Sequence, residues 1–281
     1  MPDIVIHVVA SALYAALALH FWQTRWRVQP ERWRTPAAAP GLKAWERAAI
    51  LLPLALHGSL LYADVFSQSD IRFGFAYALS AMLWLTVLFY WLESLLYDLD
   101  AMLPPALALA ALTVPLPALF PGRIGGAYAA SFEFRLHLVL AMLAYSLFTI
   151  AILHAVLMAV AERRLHRKEG GAAGLLGALP PLLTLERLLF RLIAAAFVLL
   201  TLTLATGIAY SETLFGRAMR FDHKTVFAIL SWLTFGVLLA GRWLYGWRGR
   251  TALRWTLTGF VLLILAYVGS RFVLEVILGR T

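Results

Sequence analysis

Eight long apolar runs, about 3–23, 46–66, 73–92, 101–120, 131–160, 188–211, 222–245 and 252–277, leave this chain of 281 residues few folds to choose from. A helix needs about 20 apolar residues to cross the hydrocarbon of a bilayer. Helices satisfy their own backbone groups in lipid, and no closed barrel fits runs this long and uniform. The connecting segments are too short to hold a soluble domain. The expected fold is therefore all-α: a polytopic integral membrane bundle of about eight transmembrane helices, a single domain over residues 1–281. With 62% hydrophobic residues, 14% charged residues and a mean hydropathy of +0.80, a lipid bilayer is its expected surroundings.

The first run opens with Asp3 rather than a basic patch and no small-residue cleavage site follows, so it reads as a retained helix. The absence of cysteine excludes disulfides, thiolate ligands and thiol exchange by this chain itself.

A formal charge of +9 suggests nucleic acid at first sight, but the cations are not gathered on one soluble face. They mark topology instead, and nucleic acid is not an expected partner. Arg25, Arg27, Arg32, Arg34, Lys43 and Arg47 crowd the first loop, Arg163, Arg164, Arg167 and Lys168 follow the fifth run, and Arg242, Arg248, Arg250 and Arg254 join the last two. The positive-inside rule makes these loops cytoplasmic and turns both termini outward. The acidic link from Glu93 to Asp100 is inside by parity alone.

Pro104, Pro105, Pro115 and Pro117 predict a short or bent fourth helix. Gly170 to Pro181 reads as a connector, after which a helix restarts with Thr184 as its N-cap. Glu186, with Arg187 and Arg191, reads as an ordinary helix-surface pairing, and Trp22, Trp26, Trp84, Trp91, Trp243 and Trp247 as interface anchors.

The polar residues inside the runs carry the functional signal, because an imidazole in hydrocarbon must find a partner. His57 lies roughly 13 Å and His137 roughly 9 Å from the outer ends of their runs, counted at 1.5 Å per residue. They are level enough to share one ligand. His223 and His7 are shallower; His20 and His166 belong to the opposite edge. His137 and His154, 17 residues apart on one run, are separated by roughly 25 Å and cannot hold the same iron. Two imidazoles on different helices make a bis-histidine haem site, with His57 and His137 as the metal ligands. Arg135, His223, Lys224 and Arg271 lie at predicted outer helix ends, where their donors suit haem propionates. Each has a plainer reading: His57 seated against Gly58 and Ser59, His137 bonded to a neighbouring helix, His223 beside a capping Asp222, and His154 and His20 purely structural.

The segments FRLHLVLAMLAYSLFTIAILHAVL, LPPLLTLERLLFRL, LLTLTLATGIAYSETLF, FDHKTVFAILSW, GWRGR and LAYVGSR resemble the YpjD/HemX-type branch of the CcsA-related cytochrome c assembly proteins, from about residue 45 onward. The resemblance implies a protein of the bacterial inner membrane that handles haem b on its outer side, with other cytochrome c biogenesis membrane proteins as partners. It also implies that His137 is the outer haem-ligating histidine and that Phe215 to Lys224 stands where haem lyases carry a tryptophan-rich loop. Asp222 and Lys224 match that loop; its tryptophans are missing, and Ala240, Arg242, Gly269, Ser270 and Arg271 occupy the regions of two further family histidines. Haem binding without the attachment reaction is the resulting expectation. The reading of another class is a secondary transporter for a small solute, with the bent fourth helix lining its path. No phosphate-binding glycine loop, zinc-protease motif or nucleophile elbow supports a hydrolase or ATPase.

Overall fold

A computed structural model describes residues 2–26, 41–65, 72–95, 100–122, 131–166, 181–215 and 222–279. Arg27, Arg32, Arg34, Arg123, Arg167, Lys168, Arg217, Arg220, the acidic-link residues 96–99, the connector residues 170–180 and the loop residues 216–221 lie outside them.

Among the described residues the helices are α1 (Pro2–Phe21), α2 (Ala44–Val65), α3 (Phe75–Glu93), α4 (Leu103–Thr113), α5 (Leu116–Leu119), α6 (Phe132–His166), α7 (Leu182–Phe215), α8 (His223–Tyr245) and α9 (Gly249–Ile264). Past Ile264 the chain stays helical to Ile277 through two wide π turns, Leu265–Gly269 and Val273–Ile277, that flank Ser270–Phe272. Seven stretches of the described residues are long and apolar enough to span a bilayer, and the chain is a polytopic helical membrane protein. The fourth of the eight expected spans is the shorter stretch Leu103–Leu119, broken between α4 and α5 where Pro115 ends one helix and caps the next. Proline has no N–H to continue the ladder.

The helix that restarts after the connector begins at Leu182, so Thr184 lies inside it rather than at its cap. Asp222 does cap α8: its backbone is extended and its carboxylate accepts from the Thr225 N–H at 3.0 Å. At the other end Gly246 takes the left-handed conformation (φ 66°) that closes α8 and turns the chain into α9.

Burial pushes the Asp222 carboxyl up, but the Thr225 bond and the charges of Lys224 and His223 outweigh it and hold the group below the usual carboxylate range. Its stabilising contribution is thus fully present above the unfolded value of about 3.9 and is lost as pH falls through the lower folded value. Asp222→Ala is expected to cost about 1 kcal/mol at neutral pH. In thermal unfolding scans the gap from wild type closes on acidification; a gap that widens would contradict the cap.

The helices pack in two connected sets, because their apolar surfaces carry small residues and hydroxyls where backbones approach. In the first, α1 lies along α4 and α2, and α3 packs on α4. In the second, α6 lies along α7, and α9 packs on α8 and α6. The α3–α6 contact joins them. At the centre of the second set Phe148 and Phe235 stack with ring centroids 3.9 Å apart, and Phe235 fits against Gly259, where a Cβ would lie 2.8 Å from the ring. Ser231 Oγ donates to the Gly259 carbonyl at 2.9 Å and Tyr145 Oη to the Leu263 carbonyl at 2.6 Å.

Three of the tryptophans expected as interface anchors are cross-helix bolts instead. Trp26, Trp84 and Trp91 donate through Nε1 to the carbonyls of Ala101, Leu54 and Arg47. An indole N–H buried between helices needs an acceptor, and a neighbouring carbonyl supplies it. Trp243 is 85% exposed. Glu186 is buried and pairs across helices with Arg242 and Arg248, not with Arg187 or Arg191 on its own helix. Arg187 is on the exposed face and bonds back to the Leu183 carbonyl.

Candidate functional site

His137 stands in the second turn of α6, half-buried against α7. Its Nδ1 lies 3.0 Å from Thr206 Oγ1. The Thr206 hydroxyl also lies 2.9 and 3.0 Å from the carbonyls of Leu202 and Thr203, and with its one proton shared between them it accepts from the imidazole. Nδ1 therefore carries the hydrogen, and Nε2 presents its lone pair. That is the tautomer a metal ligand needs, set by the bond at the other nitrogen. Gly207 lets the ring lie close to α7: a Cβ there would come within 3.3 Å of His137 Cε1.

His57 sits on α2 at 1% exposure in the other helix set. Its Nε2 lies 2.7 Å from Ser80 Oγ on α3, its ring meets Tyr14 of α1 edge-on at 5.8 Å, and Nδ1 has no hydrogen-bond partner. The partners of His57 are thus on α1 and α3, and those of His137 on α7. The structure does not bring the two rings into one set of contacts. His154 donates from Nδ1 to the Ile150 carbonyl at 2.9 Å and stacks on Tyr90, with Nε2 buried and without a hydrogen-bond partner, and His20 pairs with Glu46.

Of the cations, Lys224 lies in the field of Arg271, Asp222 and Glu275. Arg271, between the two π turns, sits 5.9 Å over the Tyr267 ring and 3.8 Å from Glu275. The Glu275 carboxylate packs against Gly74 and Gly122, leaving no room for a side chain at either. Sequence reasoning passed over Glu275, although a lone acid in the apolar run LEVIL is the kind of signal that marks a buried ion pair. Nε of Arg271 and Nε of Arg135 are both buried without an acceptor. His223 is exposed at the first residue of α8. Among the described residues, no group of three or more His, Cys, Asp or Glu side chains is placed to hold a bare metal ion.

A haem needs an axial nitrogen and cationic donors for its carboxylates, and these residues fit both needs. His137 Nε2 supplies the first, and the unfilled N–H groups of Arg135 and Arg271 suit the second.

A bundle of spanning helices with an imidazole of set tautomer, and guanidinium N–H groups left without acceptors, defines a class, and the chain belongs to the family described as cytochrome C assembly protein, which matches residues 45–278. It is 34% identical over 176 residues to the inner membrane protein YpjD of Escherichia coli (strain K12), covering 63% of this chain and 65% of that one. The match thus falls just short of two thirds of YpjD. A 28.8 kDa protein of Azospirillum brasilense, called uncharacterized, is 33% identical over 211 residues, 72% of this chain and 76% of its own. The cytochrome c biogenesis protein CcsA of Prochlorococcus marinus (strain MIT 9515) is 35% identical over 88 residues, 31% of this chain and 28% of its own. No solved structure matches.

Proposed function

We propose that this protein binds haem b in a bacterial inner membrane and holds or relays it in cytochrome c biogenesis, with other biogenesis membrane proteins as the source or recipient. His137 is its axial ligand through Nε2, and Arg135, Lys224 and Arg271 face the propionates, with His223 at the rim. The observation that carries this reading is the Thr206 bond, which leaves a ligand-ready nitrogen on His137 within a family of cytochrome c assembly proteins. When bound, the haem would supply an iron centre and two carboxylates; the chain would supply one nitrogen and the cations. The His57 ring has its contacts on α1 and α3, and the His137 ring on α7, so His137 is the one axial nitrogen assigned here.

The test is an absorption spectrum of the purified protein titrated with hemin, oxidised and then reduced. A saturating one-to-one Soret band that sharpens on reduction is expected. A protein that stays colourless and leaves hemin in the detergent contradicts the proposal.

A further inference from the structure

The start of α7, the end of α8 and the start of α9 meet at one edge of the second helix set, because Glu186 of α7 pairs with Arg242 of α8 and, at 3.4 Å, with Arg248 just before α9. Four more arginines stand at the same helix ends in two pairs, Arg187 with Arg191 on α7 and Arg250 with Arg254 on α9. All four are exposed. Members of a pair are four residues apart, so each pair lies one turn apart on the outer face of its helix. Glu186 is already committed to Arg242 and Arg248, and among the described residues Arg191, Arg250 and Arg254 have no ion-pair partner. Arg187 spends only Nε, on the Leu183 carbonyl.

Helix stability does not explain this arrangement. Like charges four residues apart on one helix repel, and Arg250, in the first turn of α9, also opposes a helix dipole that favours anions there. An anion set between the members of each pair reverses both effects, and guanidinium forks suit phosphate oxygens in particular.

Depth identifies the anion. The unbroken apolar run of each helix begins directly after its pair, as LIAAAFVLLTLTLA after Arg191 and as WTLTGFVLLILA after Arg254. Arg191 and Arg254 therefore stand at the edge of the hydrocarbon, with Arg187 and Arg250 about 6 Å further out, at the level of the headgroups. A soluble polyanion reaches only the outer member of each pair; a phosphodiester of the bilayer lies level with both. Trp243 and Tyr245, exposed at the end of α8, add aromatic faces at the same edge.

We propose that this edge binds anionic phospholipid, with one phosphodiester held by Arg187 and Arg191 and a second by Arg250 and Arg254. The surface shares no residue with the His137 site, so it stands or falls independently of the haem reading.

The test is native mass spectrometry of the full-length protein, purified in detergent and equilibrated with equal amounts of phosphatidylglycerol and phosphatidylcholine. Wild type should retain two molecules of phosphatidylglycerol, with about 10-fold preference over phosphatidylcholine. The Arg187→Gln/Arg191→Gln and Arg250→Gln/Arg254→Gln proteins should each lose one of the two, and the fourfold glutamine variant both. Lysine at all four positions keeps the charge without the fork and should retain a weaker preference. A thermal midpoint equal to that of wild type shows that a variant is folded. Equal retention of the two lipids by wild type, or phosphatidylglycerol held undiminished by the folded fourfold glutamine variant, would overturn the assignment.

Discussion

Glu46→Ala is expected to destabilise the protein by about 2–3 kcal/mol, read as a lower midpoint in detergent or SDS unfolding. The Glu46 side chain is 1% exposed, yet it joins α1 and the turn after it, Trp22–Trp26, to α2 through His20 and Arg25, and takes a third donor from its own helix start. Arg25 Nη2 donates to its Oε2 at 2.9 Å, the Lys43 backbone N–H reaches the same oxygen at 2.8 Å, and His20 Nε2 lies 3.0 Å from Oε1. Removing one partner of a fully buried pair costs about 3–5 kcal/mol. Here the loss is smaller because the His20 and Arg25 side chains, 31% and 14% exposed, recover part of their hydration. Glu46→Gln keeps an acceptor for Lys43 and should fall between the two. An alanine variant as stable as wild type would mean that the α1–α2 junction rests on apolar packing alone.

Thr206→Val tests the haem site without touching a ligand, and a 10–100-fold loss of hemin affinity is expected. Valine keeps the branched shape and removes the oxygen that accepts from His137 Nδ1–H. The ring is then free to turn and to place its hydrogen on Nε2. Thr206→Ser should retain wild-type binding, because the oxygen and its own bond back along α7 remain. Equal hemin affinity in the valine and threonine proteins would remove the tautomer argument.

The spans and the broken fourth segment were legible because uniform apolar runs and prolines act locally: Pro115 breaks Leu103–Leu119 whatever surrounds it. The Asp222 cap was legible for the same reason. Partners across helices were not. Counting residues fixes the height of His57 and His137 in the bilayer but not the direction in which either points. A helix that is apolar all round does not display its packed face. His57 accordingly turns toward Ser80 and the pocket it shares with His7, and Glu186 reaches Arg242 on α8 rather than its neighbours on α7. Thr206 follows Thr201 and Thr203 in the same apolar run, and nothing distinguished it as the residue that sets the tautomer of a histidine 69 positions away.

The most direct measurement is the spectrum of His137→Gly protein loaded with hemin, with and without added imidazole. Loss of the wild-type Soret position in the variant, and its return when imidazole enters the vacated space beside Gly207, is the predicted result. A glycine variant whose spectrum and hemin affinity match wild type without imidazole would contradict iron ligation by His137.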